Sequence, residues 1–475
     1  MRPPSTDALL ARLEVRLGPS GFTRDPADLE PWLTDWRGRF RGGAQALLSP
    51  ASTDEVAFIV SVCADTATPL VAQGGNTSMV GGATPHEAGD ALLLSLRRMN
   101  RIRHVSAVDE VLIAEAGVTL SAVHDAAAAI GRRFPLSLAA KGSATIGGLV
   151  STNAGGTQVL RHGTMRALVV GIEAVLPSGG RLDGLAALRK DNRGYDIGGL
   201  LIGAEGTLGI VTAAALRLVP AYGARAVAWV GLDDPHAALT LLRRLEAATT
   251  IESFELVPAA ALALVLAHIP GTRVPLVGSH RWHILIEAVG QSDPAEPLRD
   301  ALAAAAADGI IADATLATSE AQADALWRLR EVVSEAERID GPAAKHDLSV
   351  PVSRMPGFVV EVGAAVEARF AGTRVIAFGH LGDGNIHFNV RAPAQSDGAA
   401  WLQREGAAVT RFVNDAVVAA GGSISAEHGI GQMKLDELVR TGDPVRLAAQ
   451  AAIKRALDPL NIMNPGKLVP GTPSK

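Results

Sequence analysis

The 475-residue sequence has one cysteine, few aromatic residues and no long apolar run. The single cysteine, Cys63, excludes an intrachain disulfide and is typical of a protein in a reducing compartment. The N-terminus has no apolar h-region, so we expect no secretory signal and a cytoplasmic location. The longest apolar run, residues 259–267, is too short to cross a bilayer, which argues against an integral membrane segment.

A strong net charge and the common nucleotide-binding fingerprints are also missing. A formal net charge of −5 and a pI of about 6.2 give no reason to expect nucleic acid or anionic membranes as partners. The chain contains no G-x-G-x-x-G and no Gly-Lys followed by Ser or Thr, which disfavours a Rossmann-type nicotinamide site and a Walker A loop. With 48% hydrophobic and 20% charged residues, the composition is typical of a soluble globular protein with two or three domains.

Glycine, by contrast, is abundant, and many of the 50 glycines cluster in three blocks. The first block, residues 73–82, follows a predicted strand and offers many free backbone N–H groups, which suits a pyrophosphate. The second, residues 141–156, includes the predicted start of a short helix whose N-terminal amides face a ligand. The third spans residues 191–212. One such block alone would also fit a surface turn, but three in series indicate a single extended ligand.

A later segment predicts a metal site. Residues 374–390 have the β-branched and aromatic character of two strands, and Asp383-Gly384 is a dipeptide favoured in two-residue hairpin turns. Such a turn would place His380 directly opposite His387, with Cβ atoms about 4.5–5.5 Å apart, so that both imidazoles can hold one divalent cation. The alternative is a surface hairpin whose two histidines only form hydrogen bonds.

Three further residues extend this predicted site. Strand alternation places Asn389 on the same face as His387. Further along, Glu427 and His428 are neighbours on a short glycine-rich segment, where they offer a carboxylate ligand and a titratable imidazole. A set of His380, His387 and Glu427 leaves open positions on a metal, as a catalytic site requires, and it suits zinc, manganese, iron and cobalt.

The order of predicted elements indicates an α+β protein. Short strands alternate with helices as far as Pro220, and beyond it a new strand and a series of helices indicate a second domain. There, a predicted helix over residues 319–338 carries Arg330 and Ser334 on one face, four residues apart. Lys345 follows in an extended segment. Together these three side chains can bind a carboxylate. For any one of them, the alternative is an ordinary solvent-exposed position without a binding role.

Residues 73–82, 141–156 and 202–211 resemble the FAD-binding domain of the vanillyl-alcohol-oxidase-type flavoproteins. Nearly the whole chain resembles the D-2-hydroxyglutarate dehydrogenase family in its bacterial form. The resemblance implies a two-lobed FAD-binding domain, an α+β cap domain that binds substrate, and a C-terminal helical segment that returns to the first domain. Their expected ranges are residues 1–220, 221–424 and 425–475. It also implies noncovalent FAD, because the first block has Asn76-Thr77-Ser78 where some relatives carry a His or Cys that attaches the cofactor.

The resemblance assigns roles to individual residues. Those implied to hold FAD are Gly74, Gly75, Asn76, Thr77, Ser143, Gly147, Gly148, Thr152, Asn153, Glu205, Gly206, Ile210 and Asn464. Those implied to bind substrate are Arg330, Ser334, Lys345, Asn389 and His428, of which His428 is the expected catalytic base. The metal ligands predicted above are His380, His387 and Glu427, with zinc the expected ion.

The implied activity is oxidation of a D-2-hydroxy acid to the 2-oxo acid. The base would take the proton of the 2-hydroxyl, the metal would bind the hydroxyl and the 1-carboxylate, and the C2 hydride would pass to flavin N5. We expect D-2-hydroxyglutarate as the substrate, because a monoacid such as D-lactate would leave Arg330 and Lys345 without a partner. D-lactate and D-malate are the alternatives.

The resemblance also suggests an acceptor, and two other classes of function compete with the enzyme. The expected electron acceptor is a soluble carrier such as electron-transfer flavoprotein. The sequence leaves open whether the protein forms a homodimer. One competing class is a non-catalytic flavin subunit that only passes electrons. The other is a metal-dependent hydrolase in which the glycine blocks are structural.

Overall fold

The computed structural model describes residues 6–188 and 190–470 and mixes helices with strands along the chain, which confirms the α+β class. The helices are α1 (Thr6–Leu17), α2 (Pro26–Leu33), α3 (Thr53–Thr66), α4 (Leu120–Ala128), α5 (Ile146–Thr152), α6 (Val159–His162), α7 (Met165–Leu168), α8 (Ile197–Leu201), α9 (Ala237–Ala248), α10 (Ala259–His268), α11 (Ala295–Ala307), α12 (Glu320–Glu331), α13 (Val333–Asp340), α14 (Met355–Arg369), α15 (Gly398–Ala419), α16 (Leu435–Thr441) and α17 (Pro444–Leu457).

The strands form separate sheets. They are β1 (Phe22–Thr23), β2 (Leu47–Leu48), β3 (Leu70–Gln73), β4 (Leu92–Ser95), β5 (Ile102–Ser106), β6 (Val111–Glu115), β7 (Arg132–Arg133), β8 (Val169–Val175), β9 (Arg181–Asp183), β10 (Ile210–Arg217), β11 (Val219–Pro220), β12 (Ala224–Leu232), β13 (Thr250–Pro258), β14 (Trp282–Gly290), β15 (Asp313–Leu316), β16 (Ala343–Ser349), β17 (Arg374–His380) and β18 (Asn385–Arg391).

The chain divides into two compact units. The first contains the chain up to Gly156, His162–Ala221 and the part from Glu427 onward. The second contains Thr157–Arg161 and Tyr222–Ala426. None of the helices in the described ranges is long and apolar enough to cross a membrane.

The first unit contains a mixed four-stranded sheet, ordered β1-β2-β4-β3, and an antiparallel five-stranded sheet, ordered β5-β6-β10-β8-β9. Helix α3 begins at a capping serine, Ser52, whose side chain accepts the N–H of Glu55. The helix buries Val56, Ile59 and Val60, whose spacing of three to four residues defines one face. These side chains belong to one buried cluster with residues of β3 and β4 and with residues of β8 and β10, so α3 packs against both sheets of the first unit.

The second unit is built on an antiparallel seven-stranded sheet, ordered β15-β12-β14-β13-β17-β18-β16. Residues of α9, α11, α14 and α15 pack in one buried cluster, and residues of α10, α12 and α13 pack in another. Successive residues of β12 alternate between the two clusters, with Ala228 in the first and Val227 and Trp229 in the second. The sheet therefore has helices on both faces.

The predicted helix over residues 319–338 is interrupted. Helix α12 ends before Val332, whose φ of −87° and ψ of 3° lie outside the α-helical region, and α13 starts at the next residue. Beyond this interruption Ser334 is exposed, whereas Arg330 is buried. The prediction that the two share one helix face is wrong, because the backbone at Val332 turns the following residues away from the face defined by α12.

Candidate active site

The first unit encloses a cavity of about 330 Å³ that the glycine blocks line. This volume lies within the range of about 300–1,000 Å³ that is usual for ligand pockets. Of the residues predicted to hold FAD, those that line the cavity are Gly74, Gly75, Asn76, Thr77, Gly147, Gly148, Thr152, Glu205, Gly206 and Ile210. The structure thus brings residues from all three glycine blocks to one space.

The other residues predicted to hold FAD lie nearby but have different surroundings. Ser143 lines a second cavity of about 600 Å³, which shares part of the first glycine block. Asn153 follows α5 with a φ of 51°, and its side chain accepts a backbone N–H from α7. The amide of Asn464 donates to the carbonyl oxygens of Gly82, at 2.9 Å, and Glu205, at 2.7 Å. In the structure, therefore, Asn153 and Asn464 fix the backbone around the cavity.

The first glycine block has free donors at the cavity. The backbone N–H groups of Gly75, Asn76, Thr77 and Ser78 donate to no group within residues 6–188 and 190–470. The side chain of Asn76 donates to the carbonyl oxygen of Thr34, which holds the loop in place. Successive unpaired N–H groups form a concavity that attracts anions. The block therefore fits the diphosphate of FAD.

The start of α5 also has unused polar groups. Thr145 precedes the helix without making a side-chain capping bond, and its buried Oγ1 has no hydrogen-bond partner among the described residues. Gly148 faces open space, since an added Cβ there would meet only Thr145 Oγ1, at 3.6 Å. Gly147 is different: an added Cβ would lie 2.7 Å from the Cβ of Ala116, so helix packing requires this glycine. The space beside Gly148 and Thr145 fits a polar cofactor.

A buried carboxylate anchors the segment that carries the predicted catalytic base. Glu205 accepts the backbone N–H groups of Ile430 and Gly431, each at 2.7 Å. Burial raises the pKa of Glu205, and the two N–H groups and the nearby lysine charges oppose this shift without cancelling it. Glu427 and His428, just before these two residues, both line the cavity. A candidate base therefore lies in the wall of the space that fits FAD.

The hairpin that carries two of the predicted metal ligands has a different register from the predicted one. Strands β17 and β18 pair with His380 opposite Asn385 and with Phe378 opposite His387. The partner of His380 is thus two positions from the predicted one, and the two-residue turn at Asp383-Gly384 is wrong. Because the shift is an even number of residues, every side chain keeps its face. The rings of His380 and His387 remain neighbours, with centroids 5.7 Å apart.

Contacts with another strand explain the longer turn. Leu381 is fully buried, and its N–H donates to the carbonyl oxygen of Phe254 in β13, so the pairing of β13 with β17 extends past His380 into the observed turn. Gly384 has a φ of 83°, while Asp383 is not among the residues with positive φ, although the predicted turn type requires it at both positions. Tertiary pairing therefore overrides the local turn preference.

A buried glutamate orients one predicted metal ligand. Glu255 Oε1 lies 2.7 Å from Nδ1 of His380, and its Oε2 forms an ion pair with Arg330 at 2.8 Å. Burial opposes ionisation of Glu255, but the charges of His380 and Arg330 outweigh it and lower its pKa. A carboxylate on Nδ1 leaves Nε2 of His380 directed elsewhere, as in many histidine–metal sites. Within the second unit, His380 and His387 fit a divalent cation; Glu427 belongs to the first unit, and its place in this set stays a prediction.

The two basic residues predicted to bind substrate already have acidic partners. Arg330 pairs with Glu255, and Lys345 Nζ lies 3.4 Å from Oε2 of Glu337. Glu337 is fully buried, its pKa is raised by burial, and it also accepts a hydrogen bond from Asn389 at 2.7 Å. The premise that a monoacid would leave both basic residues without a partner is therefore wrong.

Sequence reasoning missed both of these glutamates. Glu255 stands between apolar neighbours in a strand that is buried on both faces, and an acidic residue in such a position needs a charged partner. That was a usable signal. Glu337 lies on a helix with several other charged residues, and only the tertiary structure distinguishes it from a solvated position.

Comparisons with known proteins agree with this geometry. The model of an FAD binding domain matches residues 44–183, and that of the C-terminal domain of FAD linked oxidases matches residues 223–468. The D-2-hydroxyglutarate dehydrogenase of Xanthomonas citri pv. viticola is 37% identical over 467 residues, which cover 98% of this chain and 97% of that protein. The mitochondrial D-2-hydroxyglutarate dehydrogenase of Bos taurus is 38% identical over 465 residues, covering 97% and 83%.

A solved structure shows the same fold at lower identity. The 4-ethylphenol oxidase from Gulosibacter chungangensis aligns with a TM-score of 0.72 over 99% of both chains, at 18% identity. The fold of the vanillyl-alcohol-oxidase type that the sequence predicted is confirmed. The chain therefore belongs to the FAD-linked oxidases and, within them, to the family of the D-2-hydroxyglutarate dehydrogenases.

Proposed function

We propose that this FAD-dependent dehydrogenase oxidises D-2-hydroxyglutarate to 2-oxoglutarate. The observation that carries the proposal is one cavity lined both by the glycine blocks and by Glu427 and His428. A purely electron-carrying subunit has no need of a carboxylate and an imidazole in that wall. We assign FAD binding to residues 1–220 and 425–475, and substrate binding to residues 221–424.

The protein's share in the reaction is binding, orientation and proton transfer. The free N–H groups of residues 75–78 hold the diphosphate, and the space beside Thr145 and Gly148 receives another polar part of the cofactor. Bound FAD supplies the hydride acceptor for C2 of the substrate. The imidazole of His428 takes the proton from the 2-hydroxyl, a role that suits a side chain whose ordinary pKa is close to neutrality.

We propose that His380, His387 and Glu427 hold a divalent metal, with zinc the first ion to test. The carboxylate on Nδ1 of His380 supports this assignment, because it fixes the orientation of the ring, as carboxylates do for many metal-binding histidines. When bound, the metal supplies a Lewis acid for the 2-hydroxyl and the 1-carboxylate of the substrate.

We propose that Lys345, Asn389 and Arg330 receive the second carboxylate of the substrate. Lys345 and Asn389 are directly opposed on β16 and β18, on the same face as the neighbouring pair Asp347 and His387. Arg330 has a buried Nε without a hydrogen-bond partner in the described chain, so it retains a donor beyond its ion pair. No observation supports a contact from the exposed Ser334.

Electron-transfer flavoprotein is the acceptor we propose, in a cytoplasmic enzyme, on the strength of the family resemblance. D-lactate and D-malate are the alternative substrates. A hydrolase with structural glycine blocks predicts a colourless protein, so flavin absorbance of the purified protein separates that class at once.

The decisive experiment is anaerobic mixing of the purified protein with D-2-hydroxy acids while the flavin absorbance is followed. We expect D-2-hydroxyglutarate to bleach the flavin fastest and its L-enantiomer to leave it oxidised. His428→Asn should keep the flavin spectrum and lose bleaching, and chelator treatment should have the same effect. Full bleaching of the His428→Asn variant would remove the base assignment, and full bleaching after chelation would remove the metal.

A further inference from the structure

The segment that follows α2 forms a tight loop that exposes a tryptophan. Trp36 is 64% exposed, although tryptophan side chains are largely buried on average. The neighbouring Asp35 is buried, and its carboxylate accepts the backbone N–H groups of Arg39, at 2.6 Å, and Phe40, at 2.8 Å. Its own N–H donates to the carbonyl oxygen of Phe40. These bonds fix the loop without the indole, so the fold of the loop does not explain why Trp36 is exposed.

Two further side chains form one surface with Trp36, called the Trp36 patch below. Arg39, in the same loop, is exposed, and its Nη1 lies 3.8 Å from Sδ of Met433, which is 38% exposed. Arg39 makes no ion pair with any residue in the ranges 6–188 and 190–470. Tryptophan and arginine are the side chains that most often carry the binding energy of protein interfaces. The Trp36 patch therefore has the composition of a protein-binding surface.

The Trp36 patch adjoins the wall of the cavity that fits FAD. The backbone N–H of Met433 donates to the carbonyl oxygen of Val80 at 3.2 Å, and Val80 lines the cavity. The ring of Phe40 covers Gly81, where an added Cβ would lie 2.7 Å from Cδ2 of that ring. The loop and Met433 thus pack directly on the first glycine block, whose other side faces the cavity.

We propose that the Trp36 patch docks the protein that takes electrons from the reduced cofactor, and that this partner presents an acidic face. The assignment rests on the proposed function, because each oxidation of a hydroxy acid leaves a hydride, two electrons and one proton, on FAD. The partner takes the two electrons, and the proton is released to water. Such a partner has to bind close to the cofactor, and the Trp36 patch offers an indole and an arginine without an ion pair at the wall of that cavity.

Charge favours an acidic protein over the other occupants of this surface. The loop carries Arg37, Arg39 and Arg41 in a chain whose net charge is −5. A second copy would place this loop against itself, because a two-fold interface uses the same surface of both subunits, and the arginines would repel each other. One tryptophan and one methionine give less apolar surface than the amphipathic helices that bind membranes. An acidic partner, by contrast, is attracted at a distance, which speeds its association at low salt.

The test follows reduction of purified electron-transfer flavoprotein, the acceptor proposed above, by the FAD-loaded enzyme with D-2-hydroxyglutarate. Trp36→Ala should raise the KM for this acceptor about 30-fold, the change expected for loss of a residue that dominates an interface. Arg39→Gln should raise it about threefold at low salt and leave it unchanged at high salt. In both variants, anaerobic bleaching of the flavin by substrate and reduction of the small dye dichlorophenolindophenol should match the wild type.

Arg217→Gln is the matched control. Arg217 is also exposed and makes no ion pair within the described residues, but it ends β10, seven residues beyond Ile210 in the cavity wall. A strand of that length spans about 23 Å. This variant should keep the wild-type KM for the flavoprotein at every salt concentration, because it removes the same charge from a surface away from the Trp36 patch.

The other outcomes each overturn the docking surface. Wild-type KM values in both Trp36→Ala and Arg39→Gln would do so, and so would an equal loss of dye reduction, which would mean that the loop acts on the flavin or the substrate. A wild type that reduces the dye but not the flavoprotein would remove this partner. With acceptor kinetics unchanged, loss of binding to phosphatidylserine vesicles in Trp36→Ala would identify a membrane as the occupant, and loss of a sedimenting dimer would identify a second copy.

Failure of the docking surface and failure of the proposed oxidation are separate results. Anaerobic bleaching needs no acceptor, so it reports oxidation of D-2-hydroxyglutarate whether or not the flavoprotein binds. An enzyme that is bleached by this substrate but shows no effect of the Trp36 and Arg39 variants keeps its proposed function and loses only the docking surface.

Discussion

The buried pair of Glu255 and Arg330 gives the sharpest test of the second unit. Glu255→Gln removes the negative charge that faces both the guanidinium of Arg330, at 2.8 Å, and the ring of His380, at 2.7 Å. Arg330 is only 8% exposed and Glu255 is fully buried, so water cannot replace the lost charge. Removal of one partner from a buried ion pair typically costs about 3–5 kcal/mol.

This cost translates into a measurable shift of the unfolding temperature. For a unit of this size, each kcal/mol lowers the midpoint by about 2–4 °C, so Glu255→Gln should lower it by about 10 °C. Circular dichroism of the FAD-loaded protein provides the assay. Arg330→Met should also destabilise, and the double variant should lose less than the sum of the singles, with a coupling of about 1–3 kcal/mol. Arg299→Met is the matched control, since its ion pairs are exposed and worth less than about 1 kcal/mol.

The same variants distinguish a structural role of the Glu255–Arg330 pair from a role of Glu255 in metal binding. Glu255→Gln should also weaken divalent-metal binding by about 10–100-fold, the effect usual for a group that orients a histidine ligand. Arg330→Met keeps that carboxylate and should bind metal more tightly than Glu255→Gln. If the two single variants were additive within about 0.5 kcal/mol, Arg330 and Glu255 would not act as a pair. Arg330 would then be free to bind substrate alone.

Three further predictions concern separate parts of the chain. Burial raises the pKa of Cys63 to about 12, so Ellman's reagent should find no reactive thiol at pH 8 and one after denaturation in guanidinium. Burial lowers the pKa of His283 to about 4. As the pH falls below 6.5, this histidine becomes protonated in the unfolded chain while it stays neutral in the folded protein. The free energy of unfolding should therefore fall by up to about 3 kcal/mol between pH 6.5 and 4. His283→Leu should unfold with a smaller loss over that interval. A Cβ on Gly75 would lie 1.8 Å from the carbonyl oxygen of Ser143, so Gly75→Ala should purify with little FAD, while Gly142→Ala, with open space around it, should keep the wild-type flavin content.

The sequence alone was sufficient for the features that depend on neighbours along the chain. Glycine in residues 73–82 and 141–156 indicated a backbone open to a ligand, and the structure brings these blocks to one cavity. Alternation in β18 correctly placed Asn385, His387 and Asn389 on one face, because side chains in a strand alternate whatever the partner strand is.

Only the tertiary structure decided which distant groups meet. The hairpin register followed from pairing with β13 and burial of Leu381, and no local turn preference contains that information. The acidic partners of Arg330 and Lys345 come from a strand and a helix whose approach depends on the packing of the whole seven-stranded sheet. Short-range geometry is set by the covalent chain, whereas the pairing of buried charges depends on how that sheet and its helices pack.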